Sequence, residues 1–271
     1  MARTLRLYAL AALCTAGVTP RGAVAQTVTR DTYVDRSLTQ DGVTYRYKLF
    51  VPANYDSVHQ WPVILFLHGG AEGGSDGNRQ TREGIGAALT KWPERVPAIV
   101  VLPQAPMDSI WTGVSDRIAM GALDATMRDF RVDSDRVYLT GLSMGGYGTW
   151  QFAVDHPNIF AALVPICAGV QAPLWVPRLR VAVPDSVRDP YAYVASRIGR
   201  LPVWIFHNAY DVIVLAGESR RMFEALRQIG APVRFTEYQS ALHDAWTAAY
   251  ADPELWRWLF SQRRERGAYG G

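Results

Sequence analysis

The sequence predicts an α/β fold, a mostly parallel central sheet with helices on both faces, and three observations carry that reading. Continuous apolar runs at residues 62–67, 98–102, 161–167 and 202–206 have the length and β-branched content of strands covered on both sides. Segments with helical spacing separate them, so strand and helix signals alternate as βαβ units require. No internal repeat, low-complexity tract or linker breaks the pattern, and 271 residues suit one domain with a full core.

Taken in order, the chain opens on a basic segment with Arg3 and Arg6. An apolar stretch at residues 7–18 follows, too short to span a bilayer. Ala23-Val24-Ala25 before Gln26 has the small-residue pattern of a cleavage site. Residues 1–25 are therefore expected to be a secretory signal peptide, and residues 26–271 a single domain, secreted or periplasmic, with no membrane anchor after cleavage. Residues 28–38 and 43–51 alternate in hydrophobicity like an antiparallel pair, with Asp41-Gly42 as the turn. Two central strands follow at 62–67 and 98–102. A helix is expected over 116–130 with Ser115 as its N-cap. A short strand at 136–140 leads into a helix over 147–154, stopped by Pro157. Strands at 161–167 and 202–206, a helix over 217–229 closed by Gly230, a strand at 233–238 and a helix over 253–262 complete the chain.

Composition removes several function classes. The formal net charge of +3 disappears with the leader, which holds Arg3, Arg6 and Arg21 and no acid. A neutral mature chain offers nucleic acid no electrostatic footprint, and the run Arg263-Arg264-Glu265-Arg266 reads as a solvated helix end. Cys14 leaves with the leader, so Cys167 has no disulfide partner and reads as a small apolar filler behind a strand. Asp76, Asn78 and Glu83 are a fragment of a calcium loop without its remaining ligands. No CxxC or HExxH is present, so neither a metal nor a cofactor is expected.

The stretch around Gly141-Leu142-Ser143-Met144-Gly145 carries chemistry. It reads G-x-S-x-G between a strand and a helix, the context of a nucleophile elbow. Gly141 and Gly145 flank Ser143 because a Cβ there would meet a neighbouring strand or helix. The Ser143 hydroxyl would then stand above a helix N-terminus that favours developing negative charge. A serine needs a neighbouring base. His59, His68 and His156 lie in the wrong places, which leaves His207 and His243. The α/β-hydrolase order of serine, acid, histidine selects His243, in the loop after the last strand. Asp211, in the loop after residues 202–206, would fix the histidine tautomer. The oxyanion requires two N–H donors. Met144 follows the nucleophile, and the glycine-rich run His68-Gly69-Gly70-Ala71 offers Gly70, with Ala71 next.

His68-Gly69-Gly70, Gly141-Leu142-Ser143-Met144-Gly145-Gly146, Asp211 and His243-Asp244-Ala245-Trp246 together resemble the α/β-hydrolase superfamily. Within it they resemble exported carboxylesterases related to feruloyl esterases, polyhydroxybutyrate depolymerases and prolyl-oligopeptidase-like hydrolases. The resemblance runs from about Tyr45 to Leu259. It implies a cofactor-free serine hydrolase acting on a small-molecule ester. Three positions depart from the pattern. Asn208 stands where relatives usually have glycine, Leu215 where proline is common, and Tyr210 where a small or acidic residue is common.

Residues 169–189 are longer than a strand-to-helix connection needs and carry Trp175. Such a segment would overhang the carboxyl ends of the strands, so Trp175, Trp111 and Trp246 are expected to flank a substrate cleft. The expected activity is hydrolysis of short-chain or aryl carboxylic esters by a Ser-His-Asp triad. A peptidase of small peptides on the same machinery and a non-catalytic binding protein on a hydrolase fold are the alternatives.

Overall fold

In β3 (Trp61–Leu67), fully buried, side chains alternate between two separate apolar cores. Val63, Leu65 and Leu67 enter one, and Ile64 and Phe66 the other, as the two-residue period of a strand requires. The run reads as continuously apolar because both its faces need cover. The computed structural model describes residues 32–264. The leader, residues 28–31 of the first expected strand, and Glu265 and Arg266 lie outside the described residues.

Among the described residues eight strands form one sheet, in the order β1-β2-β4-β3-β5-β6-β7-β8. The remaining strands are β1 (Thr32–Gln40), β2 (Val43–Val51), β4 (Ile99–Pro103), β5 (Val132–Leu142), β6 (Ala162–Ile166), β7 (Val203–Asn208) and β8 (Val233–Tyr238). β1 and β2 are antiparallel to each other, β2 is antiparallel to β4, and every other pairing is parallel. The β1–β2 turn is Asp41-Gly42, with φ of 52° and 78°. Two positive φ values define the hairpin turn whose twist matches its strands, and Asp-Gly tolerates them best.

Among the described residues seven α-helices cover the sheet: α1 (Ile85–Lys91), α2 (Val114–Asp129), α3 (Met144–Asp155), α4 (Pro190–Ile198), α5 (Ala216–Gln228), α6 (Trp246–Ala251) and α7 (Pro253–Ser261). Residues of α2, α3, α4 and α5 pack into the core with Leu65, and those of α1, α6 and α7 into the core with Phe66. Among the described residues no helix is long and apolar enough to cross a membrane.

The start of α2 differs from the sequence expectation. Its N-cap is Gly113, with φ of 58°, rather than Ser115. Ser115 lies inside the first turn, buried, and its hydroxyl meets that of Ser109 at 3.0 Å, so the polar side chain serves the preceding loop instead of the helix end.

α2 and α3 are tied at one point, where His156 Nε2 lies 2.6 Å from Asp116 Oδ1. That hydrogen bond, to a carboxylate, raises the imidazole pKa against the opposing effect of burial. A histidine whose folded pKa is raised stabilises the fold fully below its unfolded value, about 6.5, and loses that contribution as pH climbs through the folded value. Asp116→Asn is therefore expected to lower Tm at about pH 6 and much less at about pH 9. Melting curves at the two pH values check this, and equal losses at both would remove the charge from the account.

Candidate active site

The carboxyl ends of the parallel strands lie along one edge of the sheet, and each delivers one part of the site. β5 ends in the elbow. Ser143 connects it to α3 in a single residue, with φ of 51° and ψ of −118°, a conformation that costs a non-glycine residue on the order of 1–3 kcal/mol. The turn is closed by Ser143 N–H donating to Ile166 O at 2.9 Å and by Ser143 O accepting from Gly146 N at 2.9 Å. A Cβ on Gly141 would lie 2.2 Å from Gly145 O, and one on Gly145 would lie 1.8 Å from Leu67 O. Strand and helix pass backbone to backbone here, which only glycine allows.

β7 delivers the acid and β8 the histidine. His243 Nδ1 lies 2.6 Å from Asp211 Oδ2, and His243 Nε2 lies 2.8 Å from Ser143 Oγ. Asp211 Oδ1 accepts from the N–H groups of Ile213 at 2.8 Å and Val214 at 3.1 Å. Burial alone would raise the Asp211 pKa. Hydrogen bonds from His207 and His243 outweigh it and hold the carboxyl well below the usual carboxylate range. An ionised Asp211 can only accept, so Nδ1 of His243 carries the proton and Nε2 accepts from the Ser143 hydroxyl. The structure thus joins Ser143, His243 and Asp211 in one hydrogen-bonded line.

β3 delivers the glycine-rich loop. Gly70 and Met144 each begin a helical turn, so neither N–H has an acceptor within its own turn. The loop is fixed from beneath by His68. Its Nε2 accepts from Ala105 N at 3.0 Å and its Nδ1–H donates to Gly69 O at 2.6 Å. Burial pushes the His68 pKa down to about 4, so the ring is neutral near pH 7. Trp111 Nε1–H donates to His68 O at 2.9 Å.

That last contact corrects one expectation. Trp111 is 1% exposed and packs in the core against Phe152, with its Cβ under Gly148. It braces the His68 loop and presents no face to a ligand. The Trp246 ring packs edge to face beside His243, ring centres 5.4 Å apart. Trp175 is 72% exposed in the segment 169–189. That segment is pinned near its start, where Glu218 Oε2 accepts from Val170 N and Gln171 N, both at 3.0 Å.

The three departures resolve into contacts. Asn208 Nδ2 donates to Leu242 O at 2.7 Å, tying the acid strand to the histidine loop. Tyr210 N–H donates to Ser240 O at 3.0 Å while its ring stays exposed, and Leu215 is the extended N-cap of α5. Cys167 follows β6 with φ of 49° and is buried; burial pushes its thiol far up, so it stays protonated. Donor atoms of Cys167, His207 and Asp211 lie within 4.8 Å of one another, a set the sequence reading did not gather.

No family model matches the chain. A thermostable esterase superposes with a TM-score of 0.70 at 29% identity, over 86% of this chain and 63% of that one. A feruloyl esterase module from Clostridium thermocellum superposes at 0.66 with 14% identity, over 93% of this chain and 96% of that one. Dipeptidyl-peptidase 5 of Porphyromonas gingivalis is 22% identical over 83% of this chain, which spans 38% of that protein. Sheet order, elbow and neighbours define the class: the chain has the α/β-hydrolase fold. In particular, its fold is similar to those of esterases, feruloyl esterases among them, and of an acylaminoacyl peptidase from Pyrococcus horikoshii, at a TM-score of 0.63 and 15% identity over 89% of this chain and 43% of that one.

Proposed function

We propose that the chain is a serine carboxylesterase that cleaves short-chain or aryl carboxylic esters. The observation that supports it most is the line Asp211–His243–Ser143, with contacts of 2.6 and 2.8 Å. Ser143 Oγ attacks the acyl carbon and its proton passes to His243 Nε2. Asp211 stabilises the imidazolium that results. The N–H groups of Gly70 and Met144 receive the oxyanion. Collapse breaks the bond to the leaving oxygen, which takes the proton from His243. Water then loses a proton to the same nitrogen and attacks the acyl-enzyme; the bond to Ser143 Oγ breaks, Oγ takes that proton from His243, and the acid leaves. Trp246, edge-on to His243, is the aromatic we assign to the substrate cleft, with Trp175 as a second wall when a ligand reaches the segment 169–189. Export through residues 1–25 belongs to the same proposal.

The likeness to a dipeptidyl-peptidase favours one further reading, a peptidase on the same residues. Kinetics with p-nitrophenyl acetate, an aryl-acyl ester and a dipeptidyl p-nitroanilide separate the two. The esters are expected to exceed the anilide in kcat/KM by about 100-fold or more, since the amide is the harder bond. The reverse order would make the chain a peptidase. No covalent labelling of Ser143 by a fluorophosphonate would make it a non-catalytic protein.

A further inference from the structure

We propose that His207 is a positioning residue for Asp211: its buried Nε2–H donates to the Val214 carbonyl and holds the acid loop so that Asp211, 3.4 Å from the same nitrogen, is aimed at His243. The proposal rests on the reading of Ser143, His243 and Asp211 as a catalytic line.

His207 lies in β7, four residues before Asp211, and is fully buried. Its Nε2 is 2.8 Å from Val214 O and 3.4 Å from Asp211 Oδ2. Both partners only accept, so Nε2 carries a proton. Its Nδ1 is 2.7 Å from Ser219 Oγ, on α5. Ser219 Oγ also lies 3.2 Å from Ala168 O. The ring is thus held at both nitrogens, by Val214 O on one side and Ser219 Oγ on the other. A base it is not, because neither nitrogen is free and Ser143 already bonds to His243.

The loop needs such a tether. Tyr210, Val212, Ile213 and Leu215 are all exposed, so of its larger apolar side chains only Val214 anchors it in the core. Little apolar burial holds Asp211 in place, and hydrogen bonds must do so. Asp211 Oδ1 is held by two loop N–H groups that move with the loop itself. Oδ2, the oxygen that meets His243, is the one His207 reaches from the rigid strand. Cys167 Sγ lies within 4.8 Å of donor atoms of both His207 and Asp211. Remove the Nε2–H and the Val214 carbonyl loses a donor that belongs to the sheet rather than to the loop.

The test compares His207→Phe, His207→Asn and His207→Gln on p-nitrophenyl acetate, with kcat counted per site titrated by a fluorophosphonate. That titration removes unfolded protein from the comparison, so a merely structural defect does not lower the measured kcat. Glutamine carries its amide N–H near where Nε2 was, whereas asparagine reaches only toward Ser219. The Phe and Asn variants are expected to lose about 10- to 100-fold in kcat, the order of loss for a catalytic group displaced by up to about 1 Å, with KM within about twofold. The Gln variant is expected to recover to within about fivefold of wild type. Full kcat per site in the Asn variant, or equal losses in Asn and Gln, would overturn the proposal, whether or not the Phe variant folds. Wild-type protein that is not labelled would instead remove the catalytic reading beneath it.

Discussion

Ser143→Ala is expected to lower kcat on p-nitrophenyl acetate by about 10⁴-fold or more while leaving the fold intact. The change removes one hydroxyl from a residue whose backbone stays where it is. Its N–H still bonds to Ile166 O and its carbonyl still starts α3. What disappears is the bond to the acyl carbon, and with it the acyl-enzyme. The N–H groups of Gly70 and Met144 remain, and such residual sites retain only about 10³–10⁴-fold catalysis over water. KM should move little, because the hydroxyl contributes almost nothing to ground-state binding. Melting temperature and active-site kinetics, measured on protein free of host esterase, check both halves. Turnover within tenfold of wild type would remove Ser143 from the mechanism, and a collapsed Tm would mean that the elbow itself had failed.

The elbow could be read from sequence because its cause is local. Two glycines bracket a serine between an apolar strand and a helix, and a Cβ on Gly141 would meet the Gly145 carbonyl four residues on. The hairpin at Asp41-Gly42 was readable for the same reason, since the turn chemistry lies in the two residues themselves. Strand existence came through well in the buried runs, where both faces demand apolar residues. Strand length did not. β5 extends to Val132–Leu142, past the expected 136–140, because Asp133 and Asp135, polar in sequence, are satisfied by Arg136, Arg263 and Arg264 across the fold.

Long-range contacts hid the rest. α1 and α6 are six or seven residues long and pack against each other, so neither shows a full amphipathic period. α4 had a local signal, Asp189 capping a helix with Pro190 in its first turn, but it sits behind a connection without regular structure. Trp111 looked like a cleft residue because it follows a strand end; its burial under Gly148 is decided by α3, some forty positions on. His207 and His243 differ in sequence only by which strand they follow. Their roles separate through Ser219, Val214 and Ser143, and that last residue is 100 positions from His243.

Gly145→Ala is expected to damage stability and activity together, through a contact that no side chain makes. A Cβ at Gly145 would stand 1.8 Å from Leu67 O, 2.4 Å from Leu67 C and 2.7 Å from His68 O. All three are backbone atoms, so no rotamer change relieves the clash. Either α3 or the end of β3 must move. Overpacking a core typically costs about 1–3 kcal/mol when side chains yield, and backbone against backbone belongs at or above the top of that range. At about 2–4 °C per kcal/mol for a domain of this size, Tm should fall by about 6 °C or more. The displaced atoms belong to the strand end that carries Gly70, and the displaced helix starts at Met144, so both N–H donors shift as well. A misplacement of about 1 Å costs on the order of 100-fold in rate, and kcat/KM should fall by at least that. Gly217→Ala supplies the opposite sign. A Cβ there has nothing within 4 Å and the residue sits in the first turn of α5, so alanine should add about 0.5–1 kcal/mol by restricting the unfolded chain. If Gly145→Ala melts within about 1 °C of wild type and keeps its rate, the close passage of α3 over β3 is not what demands glycine at the elbow. If Gly217→Ala falls as far as Gly145→Ala, the loss belongs to alanine in a helix start and not to this contact.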